Sequence, residues 1–449
     1  MGGLKFFDHH KRAEKYFNMS KIELRLIKQP VDHFNETETR TWMMSYAQNM
    51  EFYQPNGPIY LLIGGEMPLY NQMDSLFDGL VNNLAKETNG ALIMSEHRYY
   101  GKSLPFPELV TDNMKYLSSQ QALADLATLL KYLKSTFLSE KSASPKVVVV
   151  GGSYAGNLAA WMKLVYSDLV DAGISVSGPV LATKNFFQYM EIVFKDFLQH
   201  GSPECYDKIK EILKNYETLL STPEGIEELK RQEKICDYSD MTKKENKQQF
   251  ILHKLYILAK IAQYSENIDE FKEECERMLN TSRIEFLFNE KNQPQDCYDI
   301  NFYKSLKNWE PYMISWMYQT CTEFGFFQTL DYNNQPFTHN LPLEYYIEIC
   351  TTLFGFDFDE KRVDKGVKAT NALYGGRQPN ITKVVFVNGD VDPWHSLSVL
   401  KDLSDEAPAI LIPNSSHCKV LHRDTEQDSN EMREARKKVK SLIKSWIGL

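Results

Sequence analysis

Three residues far apart in the chain have the types that acyl transfer requires: Ser153, Asp392 and His417. A serine hydroxyl is a poor nucleophile until an imidazole takes its proton, and the imidazole needs a carboxylate to fix its tautomer. Ser153 lies in Lys-Val-Val-Val-Val-Gly-Gly-Ser-Tyr-Ala-Gly, residues 146–156, where an apolar run meets a glycine-flanked serine and then a helix-like stretch. The pattern predicts a strand-to-helix elbow. Small residues two before and two after the serine, here Gly151 and Ala155, leave room for so sharp a turn. At such an elbow the N–H of Tyr154 and the N-terminus of the following helix face the place where a tetrahedral oxyanion develops. A Gly-Ser pair after a strand also fits an ordinary tight turn, so the partner residues decide.

In hydrolases with this elbow the chain order is Ser, acid, His, with the acid and the base each on a loop leaving a late strand. Residues 383–389 (Lys-Val-Val-Phe-Val-Asn-Gly) predict a buried strand ahead of Asp390-Val391-Asp392-Pro393-Trp394. Residues 407–413 (Ala-Pro-Ala-Ile-Leu-Ile-Pro) predict a shorter one ahead of Asn414-Ser415-Ser416-His417-Cys418. Asp390 competes for the role of acid, yet an Asp directly after a glycine is more simply a turn residue bonding its own backbone. Pro393 biases Asp392 to an extended conformation that carries its carboxylate away from the strand end. Asp392 is therefore the expected acid. Of ten histidines, His395 is too near the acid in sequence to meet it from another loop, and His422 lies in a charged stretch. His417 is the expected base.

Gly64-Gly65-Glu66 closes an early strand at the place where this kind of site draws a second oxyanion amide, so the N–H groups of Gly65 and Glu66 join that of Tyr154 as expected donors. A plain glycine turn is the simpler alternative. Trp394 and Phe326 offer flat apolar walls for substrate binding, although either could be ordinary core. Glu96-His97-Arg98 reads as ion pairing that supports the site from below.

The elements that must position these residues alternate. Residues 58–66, 90–98, 147–150 and 172–179 read as successive buried strands. A helix precedes the third, with Ser118 and Gln121 as a capping box and Leu123, Leu126, Leu130 and Leu133 on one face. Alternating strands and helices predict an α/β fold, a mostly parallel sheet covered by helices on both faces. From about residue 182 the strands stop. Ile209, Ile212, Leu213, Tyr216 and Leu220 recur at helical spacing, as do Leu255, Leu258, Ile261 and Tyr264. The expected organisation is a first α/β part at 1–181, an all-helical cap at 182–305, and a second α/β part at 306–449. A helical cap above Ser153 would narrow access to it.

With 449 residues, 43% of them apolar, the chain can build a large core, and 51 basic against 60 acidic residues give a net charge of −9, which argues against a nucleic-acid partner. No apolar run approaches the roughly 20 residues of a membrane span. No metal or cofactor is expected. The first 25 residues lack a continuous apolar stretch, which leaves a cytosolic chain or one whose given sequence starts after cleavage. Sequons favour the second: Asn18, Asn35, Asn280, Asn380 and Asn414 head Asn-x-Ser/Thr, with Asn35, Asn280 and Asn380 the expected glycosylation sites. So do seven cysteines, six of them between residues 205 and 350.

Gly151-Gly152-Ser153-Tyr154-x-Gly156, Asn388-Gly389-x-x-Asp392-Pro393-Trp394 and Ser416-His417-Cys418 together resemble the signatures of the lysosomal Pro-Xaa carboxypeptidase and dipeptidyl peptidase II family of serine peptidases. The likeness extends to Gln29-Pro30-Val31-Asp32-His33-Phe34-Asn35, Gly64-Gly65-Glu66, Glu96-His97-Arg98-Tyr99-Tyr100-Gly101 and residues 116–125. Tyr318-Gln319-Thr320-Cys321-x-Glu323-Phe324-Gly325 and Asp392-Pro393-Trp394-His395 look most like the thymus-specific serine protease branch. Lys419-Val420-Leu421 departs from that branch, where an acidic residue is usual, and Ala155 stands where proline is common.

The resemblance implies an α/β-hydrolase fold with a helical cap and a Ser-Asp-His exopeptidase acting after proline in short peptides at mildly acidic pH. Acid activity requires the site to depress the pKa of its base. Dipeptidyl release is favoured over Pro-Xaa carboxypeptidase activity, with a lipase or esterase on the same fold as the further alternative. The resemblance implies disulfides Cys321–Cys350 and Cys236–Cys275, leaves Cys205 with Cys297, and keeps Cys418 free. It also implies lysosomal, vesicular or secreted localisation. The partners it implies are short proline-containing peptides, and a homodimer is a further candidate.

Overall fold

The computed structural model describes residues 21–137, 144–284, 297–330 and 340–449; Asn18 lies outside them. Ten strands follow among the described residues: β1 Ile22–Pro30, β2 Thr41–Asn49, β3 Ile59–Leu62, β4 Ala91–Ser95, β5 Val147–Gly152, β6 Ala172–Val176, β7 Thr183–Asn185, β8 Gly325–Phe327, β9 Val384–Gly389 and β10 Ala409–Ile412. Eight of them form one sheet in the order β1-β2-β4-β3-β5-β6-β9-β10, and β7 pairs with β8 alone. From β4 to β10 all pairs are parallel, while β2 meets both β1 and β4 antiparallel.

The parallel strands are continuous apolar runs because both faces are covered. Val147 and Val149 pack into one core with Leu123, Leu130 and Leu158. Val148 and Val150 face the opposite core with Leu80, Leu84 and Val439. The covering helices are α1 Leu80–Thr88, α2 Ser119–Phe137 and α3 Tyr154–Val165, joined at the C-terminus by α13 Asn430–Ile447. This doubly covered, mostly parallel sheet is the α/β-hydrolase fold expected from the sequence.

Half of the capping box at α2 forms. Ser118 Oγ accepts the Gln121 N–H at 3.3 Å, but the Gln121 side chain turns away to donate to Asp32 and accept from His33. The N–H of the next residue, Ser119, is accepted by Glu323, distant in sequence.

Between β6 and β9 the chain leaves the main sheet. Its helices are α4 Gln188–Asp196, α5 Pro203–Leu220, α6 Pro223–Glu233, α7 Lys244–Tyr264, α8 Asp269–Leu279, α9 Phe302–Lys307, α10 Pro311–Gln319, α11 Leu343–Phe354 and α12 Glu360–Tyr374. The segment expected to be wholly helical opens on β7, and helices continue past residue 305 as far as Tyr374, so the main sheet resumes only at Val384. Ser202 and Thr222 cap α5 and α6, each accepting a backbone N–H three residues on, with proline at the first helical position.

Three disulfides form: Cys205–Cys275, Cys236–Cys297 and Cys321–Cys350, with Cys418 free. The expected Cys236–Cys275 and Cys205–Cys297 pairs are corrected by helix neighbours. Cys205 in the first turn of α5 sits against α8, where a Cβ on Gly201 would fall 2.4 Å from Cys275 Sγ. Cys236 donates its N–H to Tyr298 O at 2.9 Å, which brings it beside Cys297.

Candidate active site

Ser153 has φ 59° and ψ −134°, a left-handed backbone that L-residues adopt at some cost, between the end of β5 and the start of α3. Sterics dictate what may flank it. A Cβ on Gly151 would lie 1.9 Å from Ala155 O, and one on Gly156 would lie 2.7 Å from Val176 O. Both positions therefore admit only glycine. The Ser153 N–H donates to Val176 O at 3.0 Å, which ties the elbow to the next strand. Tyr154 is the first residue of α3, where N–H groups have no intrahelical acceptor.

The loop after β10 arrives beside this elbow: a Cβ on Gly152 would meet Cys418 Sγ at 2.9 Å. His417 Nδ1 donates to Asp392 Oδ2 at 2.8 Å, and Asp392 Oδ1 accepts the Trp394 N–H at 3.0 Å. Asp392 is 0% exposed and His417 6%, so the pair is shielded from water. With Nδ1–H committed to the carboxylate, Nε2 is left as the atom able to take a proton, and among the described residues it has no hydrogen-bond partner. Asp390, the competing acid, accepts the Asn414 N–H at 2.7 Å and acts as the brace between the two loops. His395 Nδ1 donates to Asp392 O at 2.7 Å and so holds backbone only.

Burial pulls the pKa of His417 down, but Asp392 and Cys418 push it up further, and the net result is well above the ordinary 6.5. The depressed base that acid activity would require is not what this environment produces. Glu66, half-buried at the end of the early strand, is raised by burial, which its own N–H, His417 and the Ser153 hydroxyl oppose. The Ser153 hydroxyl thus lies near the Glu66 carboxyl.

Of the expected oxyanion amides, Glu66 N–H acts on its own carboxyl, pulling its pKa down against burial, and Gly65 N–H points at Gln72 Oε1, 3.5 Å away. Both would have to change partner to serve an oxyanion. Gly65 does lie against the elbow, since a Cβ there would be 3.4 Å from Ala155 Cβ.

Trp394 and Phe326 meet edge to face with ring centroids 5.5 Å apart, and Trp394 lies 6.5 Å from the His417 ring. Trp316 and Phe324 extend this wall behind Phe326 and reach Tyr154 at 5.5 and 5.3 Å. Phe326 has φ 61°, a conformation in which a bulky residue is an outlier.

Sequence reasoning missed the support beneath Tyr154. His97 Nδ1–H donates to Arg98 O at 2.7 Å, so its Nε2 accepts the Tyr154 O–H at 3.1 Å. Gln319 Nε2 donates to the Tyr154 oxygen at 2.9 Å and Gln319 Oε1 accepts from Tyr100 O–H at 2.6 Å. Burial lowers the His97 pKa to about 4, which keeps it neutral and fixes the direction of the chain. The expected Glu96-His97-Arg98 cluster separates: Glu96 accepts from Leu69 N and Ser103 Oγ, while Arg98 pairs with Asp125 at 2.6 Å.

Comparison with known proteins identifies the family. The family model of serine carboxypeptidase S28 matches residues 29–439. The thymus-specific serine protease of Mus musculus is 33% identical over 94% of this chain and 87% of its own length. The thymus-specific serine protease of Homo sapiens is 29% identical, over 94% and 86%. The lysosomal Pro-X carboxypeptidase of Bos taurus is 26% identical over 95% of this chain and 88% of its own length. The chain belongs to the serine carboxypeptidase S28 family and is a serine-type peptidase.

Proposed function

We propose that Ser153, His417 and Asp392 form the triad of an exopeptidase that cleaves short peptides on the carboxyl side of proline near a chain end. The observation that supports this is the buried Asp392–His417 pair, with Cys418, the residue after His417, lying beside Gly152 at the left-handed Ser153 elbow. His417 Nε2 takes the Ser153 proton as Oγ bonds to the substrate carbonyl carbon, and the carbonyl electrons move onto oxygen. Their return expels the amine, which takes the proton from His417 and leaves an ester on Ser153. Water, deprotonated by the same nitrogen, attacks that ester and frees Ser153. Tyr154 N–H, joined by Gly65 or Glu66 N–H after a change of partner, receives the oxyanion.

Proline has no N–H and a fixed ring, so its pocket needs shape and flat apolar walls more than hydrogen bonds, and Trp394 with Phe326 supplies them. A carboxylate at Glu66 attracts a free α-ammonium and repels a terminal carboxylate, which supports dipeptidyl release. The name of the bovine relative supports the other mode, release of a residue after proline from the carboxyl end. Comparing turnover of an Xaa-Pro-reporter with that of an Xaa-Pro-Xaa acid separates the two. Slow turnover of both, with fast cleavage of a fatty-acyl ester, would overturn the peptidase-at-proline reading.

Three disulfides belong to an oxidising compartment, so a secretory route to lysosome, vesicle or medium is part of the proposal. Asn35, Asn280 and Asn380 are exposed, as acceptors of glycan must be. No helix among the described residues is long and apolar enough to cross a membrane.

A further inference from the structure

The C-terminal turn of a helix leaves carbonyl groups with no intrahelical donor, and they must find partners elsewhere. At the end of α7, a cap helix, those partners come from the base loop. Gln263 O accepts the His417 N–H at 2.9 Å and, just past the helix end, Ser265 O accepts Ser416 Oγ at 2.6 Å. Glu266 O accepts from Lys419 Nζ. The cap therefore grips residues on both sides of the catalytic imidazole as well as His417 itself.

The Gln263 side chain makes a second connection. It is only 9% exposed, and its Oε1 accepts both the Trp394 Nε1–H at 3.1 Å and the Tyr189 O–H at 2.5 Å. An indole nitrogen can only donate, so the amide orientation follows from its partner. Tyr189 packs edge-on against Trp394 with centroids 5.6 Å apart, and Phe186 lies 5.3 Å away. The indole is thus confined by rings on its apolar faces and by one hydrogen bond at its polar edge. Rings alone leave a flat side chain free to tilt, whereas an edge bond sets its plane.

We infer that Gln263 is a specificity-determining positioning residue: from the cap, it sets the plane of the Trp394 indole and thereby the preference for proline over alanine at the residue whose carbonyl Ser153 attacks. This rests on the proposed triad and on Trp394 as a pocket wall. Proline presents a ring to that wall; alanine presents one methyl group and hardly touches it. Loss of the Gln263 acceptor therefore acts on the Pro/Ala ratio, while a residue that merely stabilises the cap would act on both substrates alike.

The test uses the full-length enzyme with Xaa-Pro-reporter and Xaa-Ala-reporter substrates, and the variants Gln263→Leu, Trp394→Phe, the double variant and Ser153→Ala. Gln263→Leu should lower kcat/KM for the proline substrate about tenfold, chiefly through KM, and that for the alanine substrate by less than about threefold. Trp394→Phe removes the same bond from the other side and should lower the ratio in the same way. In the Trp394→Phe background, adding Gln263→Leu should change the ratio by less than about twofold, since the bond is already gone. An unchanged Pro/Ala ratio in Gln263→Leu, or an equal further loss in the double variant, overturns the inference. Should Gln263→Leu not fold, an unchanged ratio in Trp394→Phe overturns it instead. If Ser153→Ala retains turnover, the triad reading itself falls; if Ser153→Ala is dead and the ratio unmoved, only the role of Gln263 falls.

Discussion

Asp392 holds His417 with one carboxylate oxygen and the Trp394 backbone N–H with the other, so one buried residue orients the base and pins the start of the aromatic wall. Asp392→Asn should drop kcat on the order of 10⁴-fold, because an amide in that place can stabilise the wrong imidazole tautomer. Ser153→Ala should lose as much or more while substrate binding persists. Asp390→Asn, which affects only the Asn414 brace, should stay within about tenfold of wild type. Steady-state kinetics on an Xaa-Pro-reporter decides; an inactive Asp390→Asn beside an active Asp392→Asn would reverse the assignment.

The same pair sets the pH dependence. His417 must be neutral to accept a proton, and its pKa is raised well above 6.5, so kcat/KM should climb as pH rises through a limb lying above that value. An activity maximum near pH 5 would contradict the raised base. Glu66 helps to hold the imidazolium, hence Glu66→Gln should move the limb to lower pH. For stability the sign is opposite. A His whose folded pKa is raised contributes stability that is complete below its unfolded pKa and is lost as pH rises through the folded value. Denaturant midpoints of wild type and His417→Gln should accordingly converge in the alkaline range.

How much of this was legible in the sequence depends on the range of the physics involved. The Ser153 elbow is a local steric problem, and Gly151, Ser153 and Gly156 state its solution within six residues. The late strands and the Asp392 and His417 loops are likewise local patterns. The β1–β2 hairpin was not foreseen, because Leu24 and Leu26 of β1 alternate toward solvent, at 65% and 62% exposure, and mark no buried face. The Tyr154 support could not be seen either: His97 and Gln319 lie 57 and 165 residues from it, and neither has a spacing that would single it out.

Disulfide pairing fails as a sequence inference for the same reason, since it depends on which cap helices are neighbours. Peptide mapping without reduction should recover Cys205 with Cys275, Cys236 with Cys297 and Cys321 with Cys350, and alkylate Cys418 alone. Recovery of a Cys236–Cys275 peptide would refute the helix arrangement. Replacing Cys321 and Cys350 together by serine should cost about 3.6 kcal/mol, read from denaturant unfolding, because the bridge closes a loop with a sequence separation of 29.

The chain of bonds beneath Tyr154 makes a prediction about rate. Its backbone N–H is the proposed oxyanion donor, and its phenol is held from two sides by His97 and Gln319. Tyr154→Phe keeps the amide and the ring but leaves a buried imidazole nitrogen and a buried amide without a partner, at about 1–3 kcal/mol each. Stability should fall by that order. If the phenol also fixes the amide, kcat should fall about tenfold with KM little changed, since an oxyanion donor acts on the transition state and not on the bound substrate. A variant that is destabilised yet retains wild-type kcat would make the network a matter of folding only. A drop in kcat at unchanged KM, measured well below the unfolding temperature, would tie His97 and Gln319 to the chemistry at Ser153.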